Sequence, residues 1–204
     1  MSLRYWDLDW SEHLPWQLED GLVIDHARFD DVWPFIRDRY AEIFEVGDGG
    51  SGFLEEPMTD AKWRFLLECD VFVFRDGARI VGLSVCHPTD WSSYYFRSTA
   101  IVREYQDRRL VSVWAERCMA VLARHGVARI DGDTSPSNLA SMRMLIRLGF
   151  NVTASSNSER WGALVRLTKF LRRDAESAFL DRFCHGVRYQ RRDVTPQPQE
   201  RRTT

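Results

Sequence analysis

Thr99-Ala100-Ile101-Val102-Arg103-Glu104-Tyr105-Gln106-Asp107-Arg108-Arg109-Leu110-Val111 decides the fold, because an apolar, β-rich run gives way within a few residues to a helical pattern. Tyr94 to Val102 reads as a strand. From Leu110 onward, Val113, Trp114, Cys118, Val121 and Leu122 recur at helical spacing until His125-Gly126, a typical helix stop.

Downstream, Val127 to Thr134 reads as a strand, and Ser135-Pro136-Ser137-Asn138 as a loop ending in a cap. Leu139, Met142, Leu145 and Ile146 then give a short helix closed by Gly149. Phe150 to Ala154 and Ala163 to Leu171 are two last strands, and Ala175 to Phe183 is a late helix.

Upstream, Val71-Phe72-Val73-Phe74 and Ile80-Val81-Gly82-Leu83-Ser84-Val85 flank an Asp76-Gly77 turn, which predicts a hairpin. Pro88 to Ser93 is a loop. A helix fits Thr59 to Leu67, and Gly47 to Gly52 is a loop. Asp30 and Asp31 precede Val32, Phe35, Ile36 and Tyr40 in a helical register, and Leu22-Val23-Ile24 reads as a first strand.

Antiparallel strands followed by a β-α-β-α unit imply an α/β (α+β) architecture: a mixed, mostly antiparallel sheet of about seven strands with helices on both faces. The expected organisation is a Trp-rich arm over 1–20, one domain over 21–187 and a frayed tail over 188–204. The arm carries Trp6, Trp10 and Trp16 without a clear period, and the tail is rich in Arg, Gln, Pro and Thr.

At 204 residues and 44% apolar composition, with eight tryptophans, the chain has the material for one packed core, and a wholly disordered or collagenous chain is excluded. No run of 18 uncharged apolar residues occurs, so no membrane span is expected. The first residues lack the basic-then-apolar order of a signal peptide, so a cytoplasmic location is expected. Cys69, Cys86, Cys118 and Cys184 form no CxxC pair and have no zinc-spaced partner. They read as small buried hydrophobes, and no metal is expected.

Charge is uneven under a net of −2. Residues 1–60 hold fifteen acids and four arginines, whereas 61–204 hold fifteen acids and 24 bases. Two solvated faces account for this, as does a functional split in which the acidic part recruits a cation. Nucleic acid is not an expected partner, because the bases are dispersed and the pI is about 6.2.

The segment from Thr99 to Gln106, the helix ending at Gly126, and Ser135-Pro136-Ser137-Asn138 leading to Arg147-Leu148-Gly149-Phe150 together resemble the GNAT superfamily of N-acyltransferases. With the preceding hairpin, the likeness covers about 100 residues. The resemblance implies an acetyl-CoA or other acyl-CoA co-substrate, held at the start of the central helix by a loop of pattern Gln/Arg-x-x-Gly-x-Gly/Ala. Such a loop works because helix N-terminal N–H groups lack partners and glycines let a pyrophosphate approach them. Here the six positions read Gln106, Asp107, Arg108, Arg109, Leu110 and Val111, and only Gln106 fits. Asp107 is a potential cap that would close the site, whereas Arg108 and Arg109 offer forked donors to phosphate.

By the same resemblance, the N–H of Val102 or a neighbour such as Ile101 stabilises the oxyanion, and Asn138 touches the pantetheine end, although capping the next helix explains it equally. Leu145 stands where many relatives have a proton-donating tyrosine.

For the acceptor side, strand alternation brings forward Tyr95 to orient water and Asp133 to bind an amine or relay its proton. Asp131 lies on the same strand face, and Trp91 is placed to wall the pocket. His87 and Asp90 lie where a strand opens into a loop. Each also has a plain role in sheet packing or turn formation. The implied acceptor is a small-molecule or peptide amine. An acyl carrier protein is the alternative donor, a degenerate binding module is the non-enzymatic alternative, and pairing of last strands would make a homodimer.

Overall fold

The computed structural model describes residues 6–43, 58–158 and 162–183. Eight strands make one sheet: β1 (Trp16–Gln17), β2 (Leu22–Ala27), β3 (Asp70–Asp76), β4 (Arg79–Pro88), β5 (Ser93–Ile101), β6 (Arg129–Thr134), β7 (Asn151–Ser158) and β8 (Gly162–Phe170). Their spatial order is β1-β2-β3-β4-β5-β6-β8-β7, and every neighbouring pair is antiparallel except β5 with β6. The strand beyond the expected seven is β1. It ties the arm to the sheet edge by pairing Trp16 with Ile24, so the arm forms an added strand. The 47–52 loop, Cys184 and the tail lie outside the described residues.

Among the described residues, five α-helices flank the sheet: α1 (Phe29–Ile43), α2 (Asp60–Leu67), α3 (Leu110–Arg124), α4 (Leu139–Arg147) and α5 (Arg173–Phe183). Helix α1 starts at Phe29, ahead of the two aspartates read as its cap, so Asp30 and Asp31 fall in its first turn. There they face the positive end of the helix dipole. The hairpin turn is Gly77-Ala78, where Gly77 takes φ 55°.

Alternation splits the sheet's side chains between two apolar clusters. Val71, Val73, Leu83 and Val85 face Phe29 and Val32 of α1, with Trp63 and Leu66 of α2 packed alongside. Phe72, Phe74, Cys86, Tyr94, Ile130 and Leu167 face the other way, onto Trp114, Cys118, Val121 and Leu122 of α3. Those α3 residues form its buried stripe. The arm covers the remainder of this face: Trp10 is 3% exposed and meets Phe72 edge-on at 4.7 Å. Cys69, Cys86 and Cys118 are buried free thiols, and burial pushes the pKa of each up.

Candidate active site

The site begins where β5 and β6 part. They pair only at Ser93 with Arg129, Tyr94 with Ile130 and Tyr95 with Asp131; beyond Tyr95 they have no register. A bulge on the other side of β5 accompanies the parting. Val85 pairs with Ser98 and Cys86 with Phe96, leaving Arg97 without a cross-strand partner. An extra residue of this kind bends its strand and re-aims side chains.

A cleft of about 520 Å³ runs through the gap. On the α1 and α2 side it meets Phe29, Phe35, Ile36, Leu66, Tyr95 and Arg97. It crosses between Ser98, Thr99 and Ala100 on one strand and Gly132, Asp133 and Thr134 on the other. It ends against Val111 and Trp114 of α3 and Asn138, Ser141 and Leu145 at α4.

Backbone direction decides what β5 offers this gap. The Val102 N–H donates to the Val81 carbonyl at 2.9 Å, so it is spent inside the sheet. Successive residues of a strand point their N–H groups to opposite sides, so those of Thr99 and Ile101 face the gap. The amides of β5 turned to the gap are therefore those of Ile101 and Thr99, and the Val102 amide is not among them. The Ile101 carbonyl, on that same side, accepts from the Gln106 side-chain amide at 3.1 Å, which secures the loop to the strand end.

The loop itself keeps a glycine-like shape without glycine. Asp107 holds φ 64° and Arg109 φ 57°, and Arg109, on the family's glycine position, is the N-cap of α3. No side chain caps that helix start, and among the described residues the Asp107 carboxylate makes no bond to it. The first amides of α3 are thus free to meet an anion. Arg108 lies over the Tyr105 ring at 4.7 Å, and both arginines are exposed. The Leu110 side chain is buried in the core, while Val111 reaches the cleft. Asn138 combines its two readings: it lines the cleft and accepts from the Ser141 N–H at 3.0 Å as the cap of α4.

On the acceptor side, Asp133 is already engaged. Arg166 Nε and Nη2 donate to its two oxygens at 2.9 and 2.8 Å, and the Tyr95 hydroxyl donates at 3.0 Å. Burial opposes ionisation of Asp133, but Arg166 and Tyr95 outweigh it and hold the carboxyl below its ordinary pKa. Burial first, and the Asp133 charge next, push the Tyr95 phenol up to about 12. Asp133 is therefore a counter-ion and a poor proton acceptor, which corrects its expected role. Arg166 has no motif to reveal it in the sequence; only the pairing of Asp133 with Arg166 across β6 and β8 identifies it.

Two further expectations fail. Asp131 is 6% exposed and accepts from the Thr168 hydroxyl at 2.6 Å, with Arg129 at 3.4 Å, away from the cleft lining. Trp91 is 79% exposed and does not wall the cleft. Asp90 accepts from the Ser92 N–H and hydroxyl, both at 2.7 Å, as a turn former does. His87 packs between Phe65 and Tyr95, its Nδ1 bonded to the Pro88 carbonyl at 3.0 Å and its Nε2 buried without a partner among the described residues. Burial lowers its pKa, which favours the neutral ring. None of the acidic groups in the described part of residues 1–60 lines the cleft, whose wall there is apolar.

A sheet opened between two parallel strands, with free helix amides at the mouth of the gap, defines an acyl-transfer type of α/β domain. The chain belongs to the acetyltransferase (GNAT) family, whose sequence model matches residues 33–150. It is similar in structure to the ribosomal-protein-S5-alanine acetyltransferase of Vibrio fischeri, with TM-score 0.58, 13% identity, and coverage of 78% of this chain and 98% of that one. A GNAT family acetyltransferase of Elizabethkingia anophelis with acetyl-CoA bound gives TM-score 0.56 at 13% identity over 74% and 99% of the two chains. An N-acetyltransferase of Staphylococcus aureus gives 0.57 at 13% over 75% and 100%. No curated protein sequence matches the chain. Among the described residues, no helix is long and apolar enough to cross a membrane, and no group of three His, Cys, Asp or Glu side chains is disposed to hold a metal.

Proposed function

We propose that this chain transfers an acetyl or longer acyl group from an acyl-CoA to an amine by direct attack. The observation that carries this reading is the continuous cleft from uncapped α3, through the β5/β6 gap, to the α1 and α2 face. The bound acetyl-CoA of the Elizabethkingia protein supports the choice of donor.

In this reading the pyrophosphate lies on the amides of residues 109–112, with Arg108 and Arg109 closing on it. The amine enters from the α1 and α2 side. Its nitrogen lone pair forms the C–N bond at the thioester carbonyl, and the oxyanion meets the N–H of Ile101 or Thr99. The C–S bond then breaks, and the thiolate takes its proton from solvent, because Leu145 has none to give. A thiol of pKa about 8.5 leaves adequately without an acid, at a cost within the roughly 10²- to 10⁴-fold that general acids supply. The amine must attack as free base, and with Asp133 neutralised it loses its proton to water.

Calorimetric titration with acetyl-CoA, longer acyl-CoAs and pantetheine tests this. Binding that depends on the nucleotide end is expected. Equal affinity for pantetheine alone would transfer the donor role to an acyl carrier protein, and the absence of heat with every ligand would end the enzymatic reading in favour of a binding module.

A further inference from the structure

Two charged side chains, Arg97 and Asp133, line the cleft among the described residues. Asp133 is matched by Arg166 through a two-pronged ion pair. Among the described residues Arg97 has no ion-pair partner; its guanidinium lies over the Phe65 ring at 5.4 Å, which puts it on the α2 face of the sheet, where the amine would enter. It shares that face with Tyr95, two residues earlier on β5, as strand alternation requires, and the bulge opposite Val85 and Cys86 leaves it without a cross-strand neighbour on β4. The described residues that line this end of the cleft with it are apolar or neutral, Phe35, Ile36, Leu66 and the protonated Tyr95 among them. Among the described residues, the acceptor end of the cleft therefore carries one uncompensated positive charge beside an apolar wall, the reverse of what would recruit a polycation.

We propose that Arg97 is the specificity residue of the acceptor side, taking the carboxylate of an amine whose remaining body is apolar. The fork of a guanidinium matches a carboxylate with two parallel bonds, and a single fixed charge balances a monoanion but leaves a phosphate dianion undercompensated. The apolar wall takes the body, as aromatic and aliphatic linings do in most small-molecule sites. The amine nitrogen is then oriented toward the gap, where Ser98 and Thr99 begin the passage to the thioester. This substrate class rests on the acyl-transfer reading above.

The test compares leucine and phenylalanine with their decarboxylated counterparts, 3-methylbutylamine and 2-phenylethylamine, as acetyl acceptors for the wild type, Arg97→Ala and Arg97→Lys. The carboxylated acceptors should be preferred in kcat/KM. Arg97→Ala should remove roughly 10- to 100-fold from them, mainly through KM, and change the simple amines about twofold or less. Arg97→Lys should restore part of the loss. A wild-type preference for the simple amines, or a ratio unmoved by Arg97→Ala, overturns the proposal while leaving acyl transfer intact. A second readout needs no turnover: equilibrium binding of N-acetylphenylalanine against N-acetyl-2-phenylethylamine. Carboxylate-dependent binding lost in Arg97→Ala, in a protein that transfers no acetyl group, would sustain the anion site and remove the reaction. Binding indifferent to the carboxylate, or absent for both, overturns the site.

Discussion

Val81 and Val102 are joined by a 2.9 Å bond from the Val102 N–H to the Val81 carbonyl, and that bond sets the phase of the strand end on which the gap depends. With Val102 turned toward β4, the Ile101 amide is turned toward the cleft. Gly82, between Val81 and Leu83, faces Ile101 across the ladder. A Cβ on Gly82 would collide with Ile101 Cδ1 and stand 2.7 Å from the Ala100 carbonyl oxygen, which belongs to the backbone and cannot swing aside. Gly82→Ala should therefore cost about 1–3 kcal/mol of stability, as overpacked sites do, and weaken acetyl-CoA through the displaced Ile101. Urea melts and calorimetry on the same preparation measure both. Unchanged cofactor affinity at reduced stability would separate the Ile101 amide from the donor site.

Asp131 is expected to matter for stability alone. It is nearly enclosed and holds the Thr168 hydroxyl, which in turn bonds Thr153 at 2.8 Å. Asp131→Ala should lose about 1–3 kcal/mol, because Thr168 and Arg129 are left facing an apolar methyl. Asp131→Asn, which still accepts from Thr168, should recover part of it. Acetyl-CoA affinity should be the same in all three proteins. An Asp131→Asn variant of normal stability but impaired transfer would return this residue to the site.

The fold was largely legible because its signals are local. The hairpin around Gly77, the helical spacing along the 15 residues of α3 and the cap at Asn138 each lie within one stretch of chain. The site was only half legible. Gln106 to Val111 could be located by pattern, but whether Asp107 plugs the helix depends on the left-handed conformations of Asp107 and Arg109, which sequence propensity opposes. Arg166 and Thr168 lie more than thirty residues from the carboxylates they hold, so their pairing follows only from the β6/β8 register. Arg97 shares a strand face with Tyr95, two residues away, so alternation reaches it; that this face lines the cleft depends on where β5 and β6 part, which no local pattern announces. Trp91 was misplaced because a large aromatic in a loop suggests a wall, whereas nothing in the loop folds it inward.

Alkaline titration should single out Tyr95. Its phenol is raised from an ordinary value of about 10 to about 12. A raised folded pKa contributes stability that is complete below pH 10 and is lost as pH rises through 12. The stability difference between the wild type and Tyr95→Phe should therefore be constant from pH 7 to about 10 and shrink above it. Urea midpoints at pH 8, 10 and 11.5 measure the difference, and absorbance at 295 nm should show one fewer late-ionising tyrosine in the variant. A difference that stays level to pH 11.5 would mean that the hydroxyl is freely solvated and not bonded to Asp133.

Arg109 is where conformation and charge pull in opposite directions, and two substitutions separate them. Its φ of 57° is costly for any residue with a Cβ, by about 1 kcal/mol, and free for glycine. Arg109→Gly should therefore stabilise the free protein by up to about 1 kcal/mol, whereas Arg109→Ala, which keeps the Cβ, should leave stability nearly unchanged. If the guanidinium grips phosphate, the Ala variant should weaken acetyl-CoA by about 1.5–3 kcal/mol, the usual range for a charge-assisted bond. The Gly variant should be weakened less, because the backbone approach it opens replaces part of the lost charge. High salt should narrow the gap between wild type and both variants, since an exposed arginine acts through a screened field. Affinity that is the same for Arg and Ala at low salt would make Arg109 a strained bystander and leave the helix amides to hold the anion alone.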